Sequence, residues 1–201
     1  MCGIAGIVGW DGSLDEKISV LRDMQHSLRR RGMDQEGIYT NGYASLIHTR
    51  LSVVDLENGR QPMEFSQGKE KYILTYNGEL YNTKELREEL ESLGHCFSEY
   101  SDTEVLLHAY VQWKESCVER LNGIFAFAIW ESHNHRLFFA RDRIGVKPFF
   151  YTCKEGAFLF GSEIKAILAH PLIEAKIDFN SIMEIMLIGP GRTPEIGRAH
   201  V

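Results

Sequence analysis

The run Gly123-Ile-Phe-Ala-Phe-Ala-Ile-Trp130, the polar break Glu131-Ser-His-Asn-His135 and the run Leu137-Phe-Phe-Ala-Arg141 decide the fold class. Two stretches rich in aromatic and β-branched residues, separated by a short turn-forming segment, predict an antiparallel hairpin. A second hairpin follows at once: 149–152 and 158–160 flank Lys154-Glu155-Gly156. Working outward, Cys2-Gly-Ile-Ala-Gly-Ile-Val-Gly9 is an apolar, glycine-punctuated run that reads as a buried strand. Residues 44–50, 51–54 and 72–76 are also strand-like. Strands that arrive as neighbouring hairpins, without βαβ alternation, predict an α+β fold with antiparallel sheets.

The helices are marked by their ends. Ser13-x-x-Glu16 is a capping box, and Ile18, Leu21, Met24 and Leu28 follow at helical spacing until Gly32. Asn82 and Glu85 are expected to cap a helix carrying Leu86, Leu90 and Leu93, closed by Gly94. Ser101-Asp-Thr-Glu104 is a second capping box, opening a helix through Val105, Leu106, Ala109, Tyr110 and Trp113. Short helices are predicted at 162–169 and 180–187. No internal repeat or low-complexity tract is present.

Bulk properties exclude several functions. A net charge of −6 leaves no basic surplus to neutralise phosphates, so nucleic acid is not expected as a partner. Arg29-Arg30-Arg31 is read as helix-end chemistry. No apolar stretch is long enough for a membrane span, and no positive segment precedes the N-terminal apolar run as in a signal peptide. The four cysteines lack CxxC spacing, which speaks against a zinc ribbon or a disulfide framework, and the histidines show no ligand spacing. A cytoplasmic protein without a metal site is expected.

Cys2 admits two readings. As a small hydrophobe it fits a buried strand, and taken alone this is the favoured reading. As an N-terminal residue after removal of Met1, it would carry a nucleophile and a base together. The α-amine, with a pKa of roughly 7.7–8.0, can take the thiol proton and return it to a leaving group. Gly3 would leave space beside the sulfur. Asn77-Gly78 likewise reads alone as a turn, and Arg50 as a strand-end surface residue.

The remaining motifs favour the chemical readings. Met1-Cys-Gly-Ile-Ala-Gly6 resembles the start of class II, N-terminal nucleophile glutamine amidotransferases. Arg50-Leu-Ser-Val-Val-Asp55, Gly59-Arg-Gln-Pro-Met63, Asn77-Gly-Glu-Leu-Tyr-Asn82, Ser101-Asp-Thr-Glu104 and Leu121-Asn-Gly-Ile-Phe-Ala-Phe127 narrow the resemblance to the asparagine synthetase family. Arg141-Asp-Arg-Ile-Gly-Val-Lys-Pro148 and Phe160-Gly-Ser-Glu-Ile-Lys-Ala166 extend it, so that it runs from residue 1 to about 194.

The resemblance implies a four-layer αββα sandwich of two antiparallel sheets. It implies that Cys2 attacks the side-chain amide of glutamine, with Asn77 and Gly78 forming the oxyanion hole. Arg50 would hold the substrate α-carboxylate, which its planar fork suits. Glu79 and Asp102 would accept from the α-ammonium, and Leu51, Ser52, Val53 and Val54 would line the site. Asp102 also fits a helix N-terminal acid. Arg141, Asp142, Arg143 and Lys147 are expected to form an ion-pair network next to the site. Phe125, Phe127, Phe138 and Phe139 are expected in the core, and Asp142 and Glu163 are not expected as an acid/base pair.

The resemblance further implies partners and boundaries. Ammonia would pass to a C-terminal synthetase domain that uses ATP and Mg to amidate aspartate. That domain's Ser-Gly-Gly-x-Asp-Ser loop is absent here, so no cofactor is expected in this chain. A homodimer of the full-length protein is compatible with the resemblance, and no membrane partner is expected. Residues 1–188 are assigned to the amidotransferase domain and 189–194 to the start of a linker. Residues 195–201 read as a foreign tail, matching one frame of a common sequencing-library adapter. The family's His-Arg-Gly-Pro-Asp loop is here Arg30-Arg-Gly-Met-Asp34, and loss of the proline frees that loop. Three alternatives stay open: an amidotransferase with another acceptor, a non-catalytic binding module, and a self-processing peptide hydrolase.

Overall fold

The computed structural model of the protein describes residues 1–51 and 59–188. The expected run at 51–54 and the segments 189–194 and 195–201 therefore lie largely outside the described residues. The chain order is β1 (Gly3–Val8), α1 (Leu14–Leu28), β2 (Gln35–Thr40), β3 (Ala44–Arg50), β4 (Met63–Gln67) and β5 (Glu70–Leu80). There follow α2 (Thr83–Ser92), α3 (Asp102–Trp113), β6 (Gly123–Glu131), β7 (Arg136–Arg141), β8 (Phe150–Lys154), β9 (Ala157–Gly161), α4 (Ile164–Leu168) and α5 (Phe179–Ile188). Every described strand pairing is antiparallel. The sheets have the orders β2-β3-β1-β9-β8 and β4-β5-β6-β7.

Three separate apolar clusters define the layers. Val20, Leu21, Met24 and Leu28 of α1 and Ala166 and Ile167 of α4 bury the outer face of the first sheet through Ala5, Ile7, Ile47 and Leu159. Leu86 and Leu90 of α2, with the buried face of α3, cover the second sheet through Leu74, Tyr76, Phe125, Phe127 and Ile129. Between the sheets, Ile4, Leu46 and Phe160 meet Ile73, Ala126, Ala128 and Trp130. The period-2 alternation of a strand produces this division. In β6, Phe125, Phe127 and Ile129 face the helices while Ala126, Ala128 and Trp130 face the other sheet. The result is the expected αββα sandwich.

Several local expectations are corrected. The edge strands β2 and β4 were not expected, because edge positions tolerate the polar sequences Gln-Glu-Gly-Ile-Tyr-Thr and Met-Glu-Phe-Ser-Gln. β5 is longer than predicted, and Asn77-Gly78 is no turn: these residues pair with Ala126 and Phe125 inside the strand. Asn82 makes no side-chain cap on α2. Its amide instead donates to the Arg120 carbonyl at 2.9 Å and accepts from Asn122 N–H at 3.0 Å, clamping the loop before β6. Ser101 does cap α3, accepting from Glu104 N–H at 3.2 Å. The reciprocal half of that box is missing, since the Glu104 carboxylate accepts from Ser98 and Glu99 N–H. The Ser13–Glu16 box is complete.

Gly32 does not end α1 either. The helix stops at Leu28, a 3₁₀ turn covers Arg29–Arg31, and Gly32 is extended. A side chain at Gly32 would lie within 2.7 Å of the Arg50 backbone nitrogen, so glycine is required by close approach of the α1–β2 connection to the end of β3. The segment 141–148 is held by charge-to-backbone bonds instead of the expected ion pairs. Asp142 accepts from Val146 and Lys147 N–H at 2.8 and 2.9 Å, and Arg141 donates to the Lys147 and Gly145 carbonyls. Phe125, Phe127 and Phe138 belong to the helix-side core, as expected. Phe139 does not; it is partly exposed and stacks on Phe149, just before β8, and on Phe158 of β9.

Two cross-sheet hydrogen bonds lock β5 against β3. Thr75 Oγ1 donates to the Ile47 carbonyl at 3.0 Å, and His48 Nε2 bonds the Tyr76 carbonyl at 3.1 Å. Burial pushes His48 down to about 4. Its neutral form is therefore the folded form. The stabilisation, about 3 kcal/mol, is fully present above pH 6.5 and is lost as pH falls through about 4. His108, also held at about 4 by burial and by His95, acts in the same direction. Urea midpoints measured from pH 7 to pH 4 are expected to fall steeply, and less steeply in His48→Gln. Identical pH slopes in the two proteins would exclude His48 as a source of acid sensitivity.

Candidate active site

One end of the sandwich holds a cavity of about 540 Å³, within the range of small-molecule sites. Cys2, Arg50, Leu51, Asn77, Gly78, Glu79 and Asp102 all line it. Ser52, Val53 and Val54 lie outside the described residues. The convergence follows from strand order. β1 sits between β3 and β9, so Cys2, just before β1, lies beside the end of β3, where Arg50 and Leu51 emerge. The Cys2 thiol points to the Leu51 carbonyl, with Sγ 3.8 Å from the oxygen. β5 in the opposite sheet brings Asn77, Gly78 and Glu79, and the first residue of α3 is Asp102.

Asn77 is buried at 2% exposure, and its Nδ2 has no hydrogen-bond partner among the described residues. Buried polar groups are almost always satisfied. A buried amide donor left unpaired beside a cavity and a thiol has the chemistry of an oxyanion-binding group. Gly78 is required by its neighbours within the sheet. A Cβ there would lie 2.5 Å from Tyr76 Cε2 and 2.6 Å from the Ile124 carbonyl oxygen. The glycine makes room for the tyrosine ring and for β6. Gly3 is similar: its missing side chain would meet Thr49 Oγ1 and Leu28, so it does not open space beside the sulfur.

Arg50 is buried at the end of β3, with Nη1 donating to Gln35 Oε1 at 2.9 Å. Gly59 approaches its other side, where a Cβ would stand 3.2 Å from Nη2. Asp102 Oδ2 accepts from the Tyr76 hydroxyl at 2.8 Å and from Leu80 N–H at 3.2 Å. Burial raises the Asp102 carboxyl above the ordinary range, and these donors pull it back. Glu163 pairs with Lys165 and Arg31, Asp142 with backbone N–H groups, and neither lines the cavity.

Three participants lie outside the residues expected at the site. Arg31 was assigned to helix-end chemistry, yet its Nε donates to the Cys2 carbonyl at 2.9 Å while Nη1 reaches Glu163 at 3.2 Å. It fixes the backbone that carries the thiol. Gln61 accepts from Tyr76 N–H at 2.6 Å and donates to Thr103 Oγ1, filling the ladder position that β4 leaves open. Tyr76 itself looked like an ordinary strand-core residue. Lys147, expected beside the site, does line the cavity from the 141–148 segment. Only the motif membership of Arg31 and Gln61 could have flagged them, and nothing local flags Tyr76.

Of the four thiols, Cys117 is buried and pushed up to about 12, while Cys96 and Cys153 are exposed away from the cavity. Among the described residues, no group of three or more His, Cys, Asp or Glu is placed to hold a metal ion, and no helix is long and apolar enough to cross a membrane.

Comparison with known proteins gives this geometry a context. The chain is 51% identical over 197 residues, 98% of its length, to asparagine synthetase [glutamine-hydrolyzing] 3 of Bacillus subtilis. It is 36% identical over 203 residues to asparagine synthetase [glutamine-hydrolyzing] 1 of the same organism. It spans 32% of the length of each of these relatives. Among solved structures, glutamine phosphoribosylpyrophosphate amidotransferase from B. subtilis superposes with a TM-score of 0.70 at 26% identity, covering 84% of this chain and 43% of that one. An allosteric regulatory enzyme of purine biosynthesis shares the fold, with a TM-score of 0.67 at 24% identity over the same shares. A family model described as the glutamine amidotransferase domain matches residues 1–200. The sandwich, the N-terminal thiol at its open end and these similarities lead to one assignment: the chain belongs to the glutamine amidotransferase domain family.

Proposed function

We propose that this chain is the glutamine-hydrolysing part of an asparagine synthetase. The observation that carries the reading is the buried Asn77 amide, unpartnered among the described residues, sharing one cavity with the Cys2 thiol. Removal of Met1, which is 61% exposed, would free the Cys2 α-amine. The amine takes the thiol proton, and the sulfur attacks Cδ of glutamine. The oxyanion is met by Asn77 Nδ2 and the Gly78 N–H. The C–N bond breaks, ammonia leaves with the proton from the ammonium, and water hydrolyses the thioester to glutamate. Arg50 holds the substrate carboxylate, and Glu79 and Asp102 hold its ammonium. Leu51 lines the wall.

The chain spans about a third of its curated relatives, and the ATP-dependent, Mg-requiring amidation of aspartate is assigned to the remainder of the full-length protein. Ammonia released here is the nitrogen donor for that step. The reading is tested by incubating the purified chain with glutamine and measuring glutamate, ammonia and N-terminal mass on one sample. Equimolar glutamate and ammonia from protein lacking Met1 is the expected result. A free Cys2 with no glutamine turnover and no glutamine binding would favour a non-catalytic module.

A further inference from the structure

We propose that Tyr76 is a positioning residue for the substrate ammonium, acting through Asp102. This rests on the glutaminase reading above. Tyr76 is 2% exposed and held at both ends, its N–H by Gln61 at 2.6 Å and its hydroxyl by Asp102 Oδ2 at 2.8 Å. Its ring lies so close over Gly78 that no Cβ fits there. A single strand residue thus ties the glycine next to the oxyanion donor to the acid at the start of α3. Both hydrogen bonds to Asp102 from β5 converge on Oδ2, and the Thr103 N–H is a further donor to the same carboxylate. An unanchored aspartate would rotate about its side-chain torsions and spend part of its time turned from the substrate.

The electrostatics run the same way. Asp102 is faced by Tyr76 and Glu79 of β5, and Cys2, Arg50 and Lys147 line the same cavity. Burial and the Glu79 charge raise the Asp102 carboxyl, and the Tyr76 hydroxyl is the first of the donors that lower it. The hydroxyl itself stays protonated, because burial, then Asp102, Glu79 and Cys2, push it well above its usual value. It is therefore a fixed donor across the working pH range.

Tyr76→Phe removes the donor and keeps the ring. KM for glutamine is expected to rise roughly tenfold, as for loss of a hydrogen bond to a charged group, with kcat within about twofold. The acid limb of kcat/KM is expected to move to higher pH, since Asp102 loses its leading donor. In an Asp102→Asn background, Tyr76→Phe should add little, because no carboxylate remains to position. A structural role alone would lower stability without moving KM or the acid limb. Glutamine binding to Cys2→Ala, with and without Tyr76→Phe, reads the same effect without turnover. Hydrolysis or binding that is unchanged by Tyr76→Phe overturns the positioning role and leaves the glutaminase reading intact. Absence of glutamine binding in both chains overturns both.

Discussion

Cys2→Ala is expected to lower glutamine hydrolysis by at least roughly 10⁴-fold, the scale on which covalent catalysis collapses when its nucleophile is removed. The size of the effect follows from the thiol inventory. Cys117 is sealed in the helix-side core and held at about 12, and Cys96 and Cys153 lie outside the cavity, so no second sulfur can stand in. The loss should fall on kcat. The Arg50, Glu79 and Asp102 set is untouched, so glutamine affinity should remain within a few-fold. Cys2 is half-exposed, just before β1, and its truncation leaves no core cavity, so the melting temperature should hold. Steady-state glutamate release with calorimetric glutamine binding checks both halves. Residual turnover above about a tenth of the parent would remove Cys2 from the nucleophile's role.

Asn77→Ala carries the second large effect. Loss of one oxyanion donor reduces kcat by roughly 10²–10³-fold, and KM should scarcely move, because the donor acts on charge that develops only in the transition state. The distinguishing feature is stability. Most buried amides are paired, and their removal strands a partner; Asn77 Nδ2 has no partner to strand among the described residues. Truncation relieves an unsatisfied buried group, an effect of about 1–3 kcal/mol, which offsets the lost packing between the sheets. Asn77→Ala should therefore be nearly inactive yet fold at least about as stably as the parent. A variant that hydrolyses glutamine at the parental rate, or one that unfolds, would show the amide to be structural.

These two residues illustrate what can be read along the chain. The hairpins at 123–141 and 149–160, and the Ser13–Glu16 box, are local events, set by alternation and by side chains within a few residues. The two missed strands, β2 and β4, are edges whose outer positions place few demands on sequence. Asn82 fails as a cap because a more distant demand, the backbone at Arg120 and Asn122, competes for the same amide. Arg31 satisfied a local rule at a helix end, and that sufficient local explanation hid its reach to the Cys2 carbonyl. Asn77-Gly78 obeyed turn statistics until the long pairing of β5 with β6 overruled them.

The amino-acid sequence by itself determined the antiparallel α+β class, the helix ends closed by their own side chains, the acidic charge balance and, through its motifs, the family and its candidate residues. It could do so because alternation, capping and turn chemistry act over a few bonds. Tertiary structure alone decided that the Asn77 amide is unpaired among the described residues and that Gly78 makes room for the Tyr76 ring. It also decided that Tyr76 holds Asp102 and that Arg31 holds the nucleophile's backbone. Those facts depend on β1 docking between β3 and β9 and on the second sheet closing over the first, which places residues far apart in the chain within one hydrogen bond of each other.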